Sequence, residues 1–170
     1  MSIVQVVDKI SEVAGKLAAW LFVLIALSIS YEVVVRYFFN RPTIWVDEVS
    51  TIAQVWATYL GAAYILKRRK LIVVELVFHD TMTLTRKISE SFALLVIVCV
   101  CLIAVRYGYS EWLDKTLKGA TSASFLATPK WATLSCIWIG FGLLCLQSIV
   151  ELWRIWTVGI PDSEKSLGAH

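Results

Sequence analysis

The sequence predicts an all-α integral membrane protein: four transmembrane helices, short amphipathic interfacial helices beside them, and both termini on the cytoplasmic side. Three observations carry that prediction. Four long apolar runs, Leu17–Val35, Val49–Leu66, Ser91–Val105 and Trp131–Val150, take up nearly half of the 170 residues. The second and fourth hold no charged residue, the third none between Glu90 and Arg106, and the first only Glu32 near its end. Hydrophobic residues make up 58% of the chain and its mean hydropathy is +0.72, both outside the ordinary soluble range.

Length decides how each run is used. A hydrocarbon core of about 30 Å takes about 20 helical residues to cross, with about 17 as the lower limit. Three runs meet that as they stand, and the third does so once Ile88–Glu90 or Arg106–Tyr107 is added. Lipid offers the backbone no hydrogen-bond partner, which selects helices. The spans therefore fall at about 17–35, 49–66, 88–107 and 131–153, in a single membrane domain covering 1–160 with a polar tail at 161–170. A soluble bundle would need polar faces that these runs lack. The N-terminus has a second reading as a secretory signal, with Lys16 before an apolar run and Ser28-Ile29-Ser30 as a loose cleavage site. The long leading region with Asp8 and Glu12 favours a retained first span.

Orientation follows from Lys and Arg. Ten basic residues, including the block Lys67-Arg68-Arg69-Lys70, fall on the side of the termini, and six, Arg36, Arg41, Arg106, Lys115, Lys118 and Lys130, on the other. The termini are thus expected in the cytoplasm. Because the basic residues cluster beside spans rather than along one face, no nucleic-acid partner is indicated; membrane lipids are the implied surroundings.

The segments between the spans have distinct patterns. Residues 3–16 space Ile3, Val6, Val7, Ile10, Val13 and Ala14 at three and four, opposite Gln5, Asp8, Lys9, Glu12 and Lys16. This is either an amphipathic helix in the interface or an extension of the first span. In the first connection, Asn40-Arg41-Pro42 ends the helix, since Pro disfavours the α conformation in the residue before it. Thr43 stands where it can cap a new turn holding Asp47 and Glu48, and Trp45 fits an interfacial anchor. Leu71–Phe78 is too short to span and is expected to lie on the membrane or on a partner. Tyr109, Trp112, Leu113 and Leu117 recur at helical spacing opposite Glu111, Asp114, Lys115 and Lys118, giving a second surface helix at 109–118. Gly119–Ser124 is small and polar, a flexible loop, and Pro129 starts the fourth helix.

Candidate residues are those that carry charge or aromatic area at span ends. Glu32 and Arg36, four apart, pair on one helical face. An ionisable side chain at membrane depth is a functional candidate, but Glu32 lies near the interface with a partner at hand, which favours a structural or subunit-contact role. Trp45, Trp112, Trp131, Trp153 and Trp156 form an aromatic belt, while Trp20, Trp56 and Trp138 lie deeper. Trp56, Tyr59 and Tyr64 on one span offer a partner-helix interface. Gly61, Gly140 and Gly142 are close-packing positions. Cys99, Cys101, Cys136 and Cys145 behave as small apolar residues, so neither a disulfide nor a metal site is indicated.

What is missing narrows the function. His79 and His170, the only histidines, lie outside the spans, against a haem-bearing anchor. No phosphate loop, metal cluster or nucleophile–base pair occurs, so no catalytic residue, cofactor or metal is assigned. No span is broken at its centre in the manner of transporter substrate sites. The chain makes a poor pump and a good accessory subunit.

The run Arg36-Tyr37-Phe38-Phe39-Asn40-Arg41-Pro42-Thr43-Ile44-Trp45-Val46-Asp47-Glu48 resembles the first-connection signature of the small membrane subunit of TRAP transporters, the DctQ-like family, roughly R-Y-x-F-x-x-P-x-x-W-x-[DE]-E. Gly61-Ala62-Ala63-Tyr64, the basic block and Val73-Val74-Glu75-Leu76 continue the likeness. The Gly-His pair that many relatives carry after the basic block is absent. The resemblance implies an accessory subunit of a sodium-coupled importer of small organic acids, of C4-dicarboxylate or sialic acid type, in a bacterial inner membrane. Its implied partners are the large membrane subunit, which it braces, and a periplasmic substrate-binding protein, which it helps to dock. The interface candidates are Glu32, Arg36, Arg41, Trp45, Asp47, Glu48, Trp56, Tyr59, Trp112, Lys115 and Lys118; Arg36 and Glu48 are expected to fix the turn and outer contacts, with Trp45 as anchor. The alternatives are a membrane anchor for a redox or signalling complex and a self-sufficient small transporter or channel.

Overall fold

The computed structural model describes residues 3–68, 84–122 and 126–157, which form four helices: α1 (Ile3–Phe39), α2 (Ile44–Lys67), α3 (Leu84–Leu117) and α4 (Lys130–Thr157). All four are long and apolar enough to cross a membrane, and the chain is a multi-pass membrane protein. The run Leu71–Phe78, Arg69 and Lys70 of the basic block, and the tail 161–170 lie outside the described residues.

Helix ends follow local chemistry. α1 stops at Asn40, whose φ of 52° is left-handed, a conformation that short amide side chains tolerate. α3 ends at Gly119, φ 58°, where Ala120 N–H bonds Lys115 O at 3.0 Å and Gly119 N–H bonds Thr116 O at 3.1 Å. That is a Schellman cap, which needs a residue free of Cβ strain. Of the stretch expected to be a flexible loop, Gly119–Ser124, the described residues 119–122 are held by backbone bonds. Ser122 N–H bonds Thr128 O at 2.8 Å and Lys130 N–H bonds Ala120 O at 3.1 Å.

Residues 3–16 and 109–118 are helical, but each continues a span without a break, within helices of 37 and 34 residues. At about 1.5 Å per residue, α1 and α3 run to roughly 55 and 51 Å, against about 30 Å of hydrocarbon. Of the apolar set in 3–16, Val7 and Ala14 carry onward the buried stripe of Ala18 and Ile25, while Val6, Ile10 and Val13 stay exposed. Lys67, the last residue of α2, bonds the carbonyl of Asp8 at 2.8 Å, so α2 ends level with that turn of α1 rather than with Leu17.

The helices are ordered α1–α2–α4–α3. α2 packs between α1 and α4, α3 packs on α4 alone, and α1 meets α4 only in part. The interior is built from small side chains: Ala53, Ala57 and Ala63 on α2, Cys101 on α3, and Ser135, Cys136, Gly140 and Cys145 on α4. Small residues let backbones approach where no hydrophobic force drives helices together. At Gly140 an added methyl would sit 2.5 Å from Tyr59 Cβ, so this glycine is required by packing. Gly15, which the sequence did not single out, faces the Tyr64 ring so closely that a methyl would overlap it. Gly61 is in ordinary contact with Ala18 at 3.7 Å, and Gly142, expected to pack closely, faces open space. The array has a near end, where α1 begins and α2 and α4 finish, and a far end, where the Phe39–Ile44 and Leu117–Lys130 connections lie. Between them the sides are apolar and open, with Trp20 72% exposed at mid-helix on α1.

Candidate functional site

Most of the sequence-selected residues gather at the far end. Glu32, on the last turns of α1, is buried, and its Oε1 accepts from Arg36 Nε at 3.1 Å and Nη2 at 2.8 Å. Its Oε2 accepts the N–H of Thr43 at 2.9 Å. Thr43 occupies the N-cap of α2 in extended conformation, φ −100° and ψ 117°, but its side chain makes no cap bond and its hydroxyl is buried without a partner. The expected side-chain cap is absent, and a carboxylate from the preceding helix instead takes the N–H of the N-cap residue itself. The negative charge of Glu32 also complements the N-terminal end of the α2 dipole.

Trp45 lies against Tyr31 with ring centroids 6.3 Å apart and stays 43% exposed. Arg41 gives only its backbone N–H, to Val35 O at 3.5 Å, and its side chain is exposed. Glu48, expected to fix the turn with Arg36, instead reaches the other connection, where its Oε1 accepts the Leu126 N–H at 2.9 Å. Asp47, Glu48 and Lys115 line one cavity of about 590 Å³ with Glu111 and Lys130, between α2, α3 and the start of α4. Lys115 pairs with Glu111 at 3.3 Å within α3, and Lys118, just past its end, with Asp114 at 2.7 Å. The Lys118 hydrogen bond holds the exposed Asp114 carboxyl below its ordinary value.

Trp112 is half-buried rather than a free interfacial anchor. It forms a trio with Tyr109 and Trp138, all centroids 5.8 Å apart, which joins α3 to α4. Trp56 donates its indole N–H to Ala132 O at 3.0 Å, and Tyr59 lies 5.3 Å from Phe141. The contacts of these two candidates are thus within the chain, between α2 and α4.

Sequence reasoning missed a second cluster, at the near end. Arg154 Nη2 meets Asp8 Oδ2 at 2.6 Å and Nη1 meets Glu151 Oε1 at 2.7 Å. Gln147 donates to Asp8 Oδ1 and to Glu151 Oε1, each at 3.2 Å, and accepts from Ser11 Oγ at 2.7 Å. Ser11, Gln147 and Glu151 are almost wholly buried. Lys67 adds a bond to Glu12 at 3.2 Å, so α1, α2 and α4 are tied together here. The signal was present as spacing: Gln147, Glu151 and Arg154 are four and three apart, on one helical face. The two most buried acids, Glu32 at the far end and Glu151 at the near end, are each met by an arginine on the chain, which makes the clusters joints between helices rather than reaction centres.

The fold and these joints can be set beside known families. No curated protein matches the chain. Residues 25–158 match the family described as "Tripartite ATP-independent periplasmic transporters, DctQ component". This stretch takes in the far-end cluster and the near-end residues of α4, whereas Asp8, Ser11 and Glu12 precede it. It is a family of transporter components, not of enzymes. The chain, four membrane-length helices with the Arg36–Glu48 connection folded onto Glu32, belongs to the DctQ component family as the small membrane subunit of a TRAP transporter.

Proposed function

We propose that this subunit is the fixed brace of a sodium-driven importer of small organic acids, of the C4-dicarboxylate or sialic acid type, in a bacterial inner membrane. It stands beside the large transport subunit, with the near end and both termini in the cytoplasm. The observation that carries this reading is the placement of charge. All ion pairs among the described residues lie toward one end of the array or the other, and the apolar middle offers no polar path for an ion or an acid.

The far end faces the periplasm on this reading. Arg36, Arg41, Trp45 and the rim around Asp47, Lys115 and Lys118 then meet the substrate-binding protein, where their charges set docking rate and salt sensitivity. The test is reconstitution. The large subunit in liposomes, with binding protein and an inward sodium gradient, should take up its organic acid only when this subunit is present. Equal uptake without it, or failure of the two membrane chains to co-purify in mild detergent, would refute the brace.

A further inference from the structure

The clusters at both ends leave one feature unexplained, an open groove on the flank of α1 at the near end. Val6, Ile10, Val13 and Leu17 of α1 form one wall, with Leu60 of α2 and Leu143 of α4 beside them, around a volume of about 370 Å³. The lining is apolar but for Lys9, which is exposed and makes no ion pair among the described residues. This contrasts with the nearby cations: Lys16 meets Glu12 at 3.4 Å, Lys67 meets Glu12 at 3.2 Å and Arg154 meets Asp8 at 2.6 Å.

Two properties identify the occupant. From Lys9 inward to Leu17 the groove runs about 12 Å along the helix, most of the roughly 15 Å thickness of one leaflet's hydrocarbon. Its cation sits toward the outer limit of the array, level with the end of α2, since Lys67 bonds the carbonyl of the adjoining Asp8. Hydrocarbon inward and an unpaired positive charge at headgroup level match a lipid with a negative headgroup. A spanning helix of another protein would fill the apolar part but would also have to bring a carboxylate to headgroup level to answer Lys9.

We propose that this groove seats one acyl chain of an anionic phospholipid from the leaflet on the side of the termini, with the headgroup phosphate held by Lys9. The inference depends on the chain spanning a membrane and not on its role in transport. The lipid would extend the side of α1 beyond the helix contacts with α2 and α4, filling space that no side chain of the described residues fills.

Native mass spectrometry of the detergent-purified full chain, titrated with phosphatidylglycerol or phosphatidylcholine, tests it. The wild type should retain one phosphatidylglycerol about five-fold more strongly than phosphatidylcholine, the effect of one favourable headgroup charge. Lys9→Gln should abolish the preference, Val13→Trp should remove the bound lipid of either kind, and Lys118→Gln at the far end should change nothing. No preference in the wild type, or an undiminished preference in K9Q, overturns the proposal; K9Q changes an exposed side chain and decides the matter even where V13W fails to fold. Loss of a co-purifying polypeptide in V13W with lipid retention unchanged would also overturn it, and would assign the groove to a partner helix.

Discussion

The Glu32 carboxylate accepts the Thr43 amide at 2.9 Å, across eleven residues and the break between two helices. The same carboxylate holds Arg36 at 2.8 Å. One buried acid thus closes α1 onto the start of α2 and gives the connection a single shape.

Replacing Glu32 with Ala should therefore destabilise the protein by about 2–3 kcal/mol, since hydrogen bonds to charged groups are worth about 1.5–3 and a buried donor is left unmet. Glu32→Gln keeps an acceptor for Thr43 and should cost about half as much. Thermal unfolding in detergent reads both, and an E32A midpoint equal to wild type would show that the bond does not hold the turn.

Close packing supplies a paired comparison on α4. Gly140→Ala places a methyl 2.5 Å from Tyr59 Cβ and should cost about 1–3 kcal/mol through forced separation of α2 and α4. Gly142→Ala enters open space and should stay within about 0.5 kcal/mol of wild type. Similar losses in both variants would mean that helix propensity or lipid, rather than the Tyr59 contact, governs the position.

At the near end, Arg154→Ala leaves Asp8 and Glu151 without their shared cation and should cost about 3 kcal/mol or more. Adding Asp8→Ala to that variant should cost less than Asp8→Ala does alone, with a coupling of at least about 1 kcal/mol in a double-mutant cycle. Strict additivity would indicate that the two helices are held by apolar contact only.

Transport should register the far end. Trp45→Ala or Arg36→Ala should lower uptake or co-purification with the large subunit several-fold, whereas Lys118→Ala removes one rim charge and should leave co-purification unchanged while altering the salt dependence of uptake. Wild-type uptake in both of the first two variants would remove the connection from the docking surface.

Orientation is checked by labelling. In a cysteine-free background, Lys118→Cys should react with an impermeant maleimide on intact spheroplasts, and Lys9→Cys only after permeabilisation. The reverse pattern would invert the proposed topology.

The four spans were legible because length and hydropathy are local properties that a bilayer fixes, and the pairing of Glu32 with Arg36 because four residues is one helical turn. The cap on Thr43 was not, since its acceptor comes from the preceding helix and not from the residue at the cap itself. Gly15 and Gly142 show the same limit: a glycine's purpose depends on what faces it, and Tyr64 faces the first while nothing faces the second. The near-end cluster escaped because the fourth apolar run stops at Val150, which left Gln147 alone inside it and Glu151 just beyond. Their partners Ser11 and Asp8 lie 136 and 139 residues from Gln147. Trp112 looked like an anchor because spacing shows which residues share a face, not whether another helix covers it.

Ion pairs close the array at both ends, Asp8 with Arg154 at the near end and Asp114 with Lys118 at the far end. A displacement along the membrane normal by a single helical turn, about 5.4 Å, would carry the Asp8 and Arg154 group toward hydrocarbon in one direction, and Asp114 and Lys118 in the other. A charge drawn into hydrocarbon meets a cost that rises with depth, reaching about 2.5–3.5 kcal/mol at the centre on insertion scales. The molecule is thereby a depth gauge, with an upper and a lower stop, and whatever is bolted to its side inherits a fixed height in the bilayer.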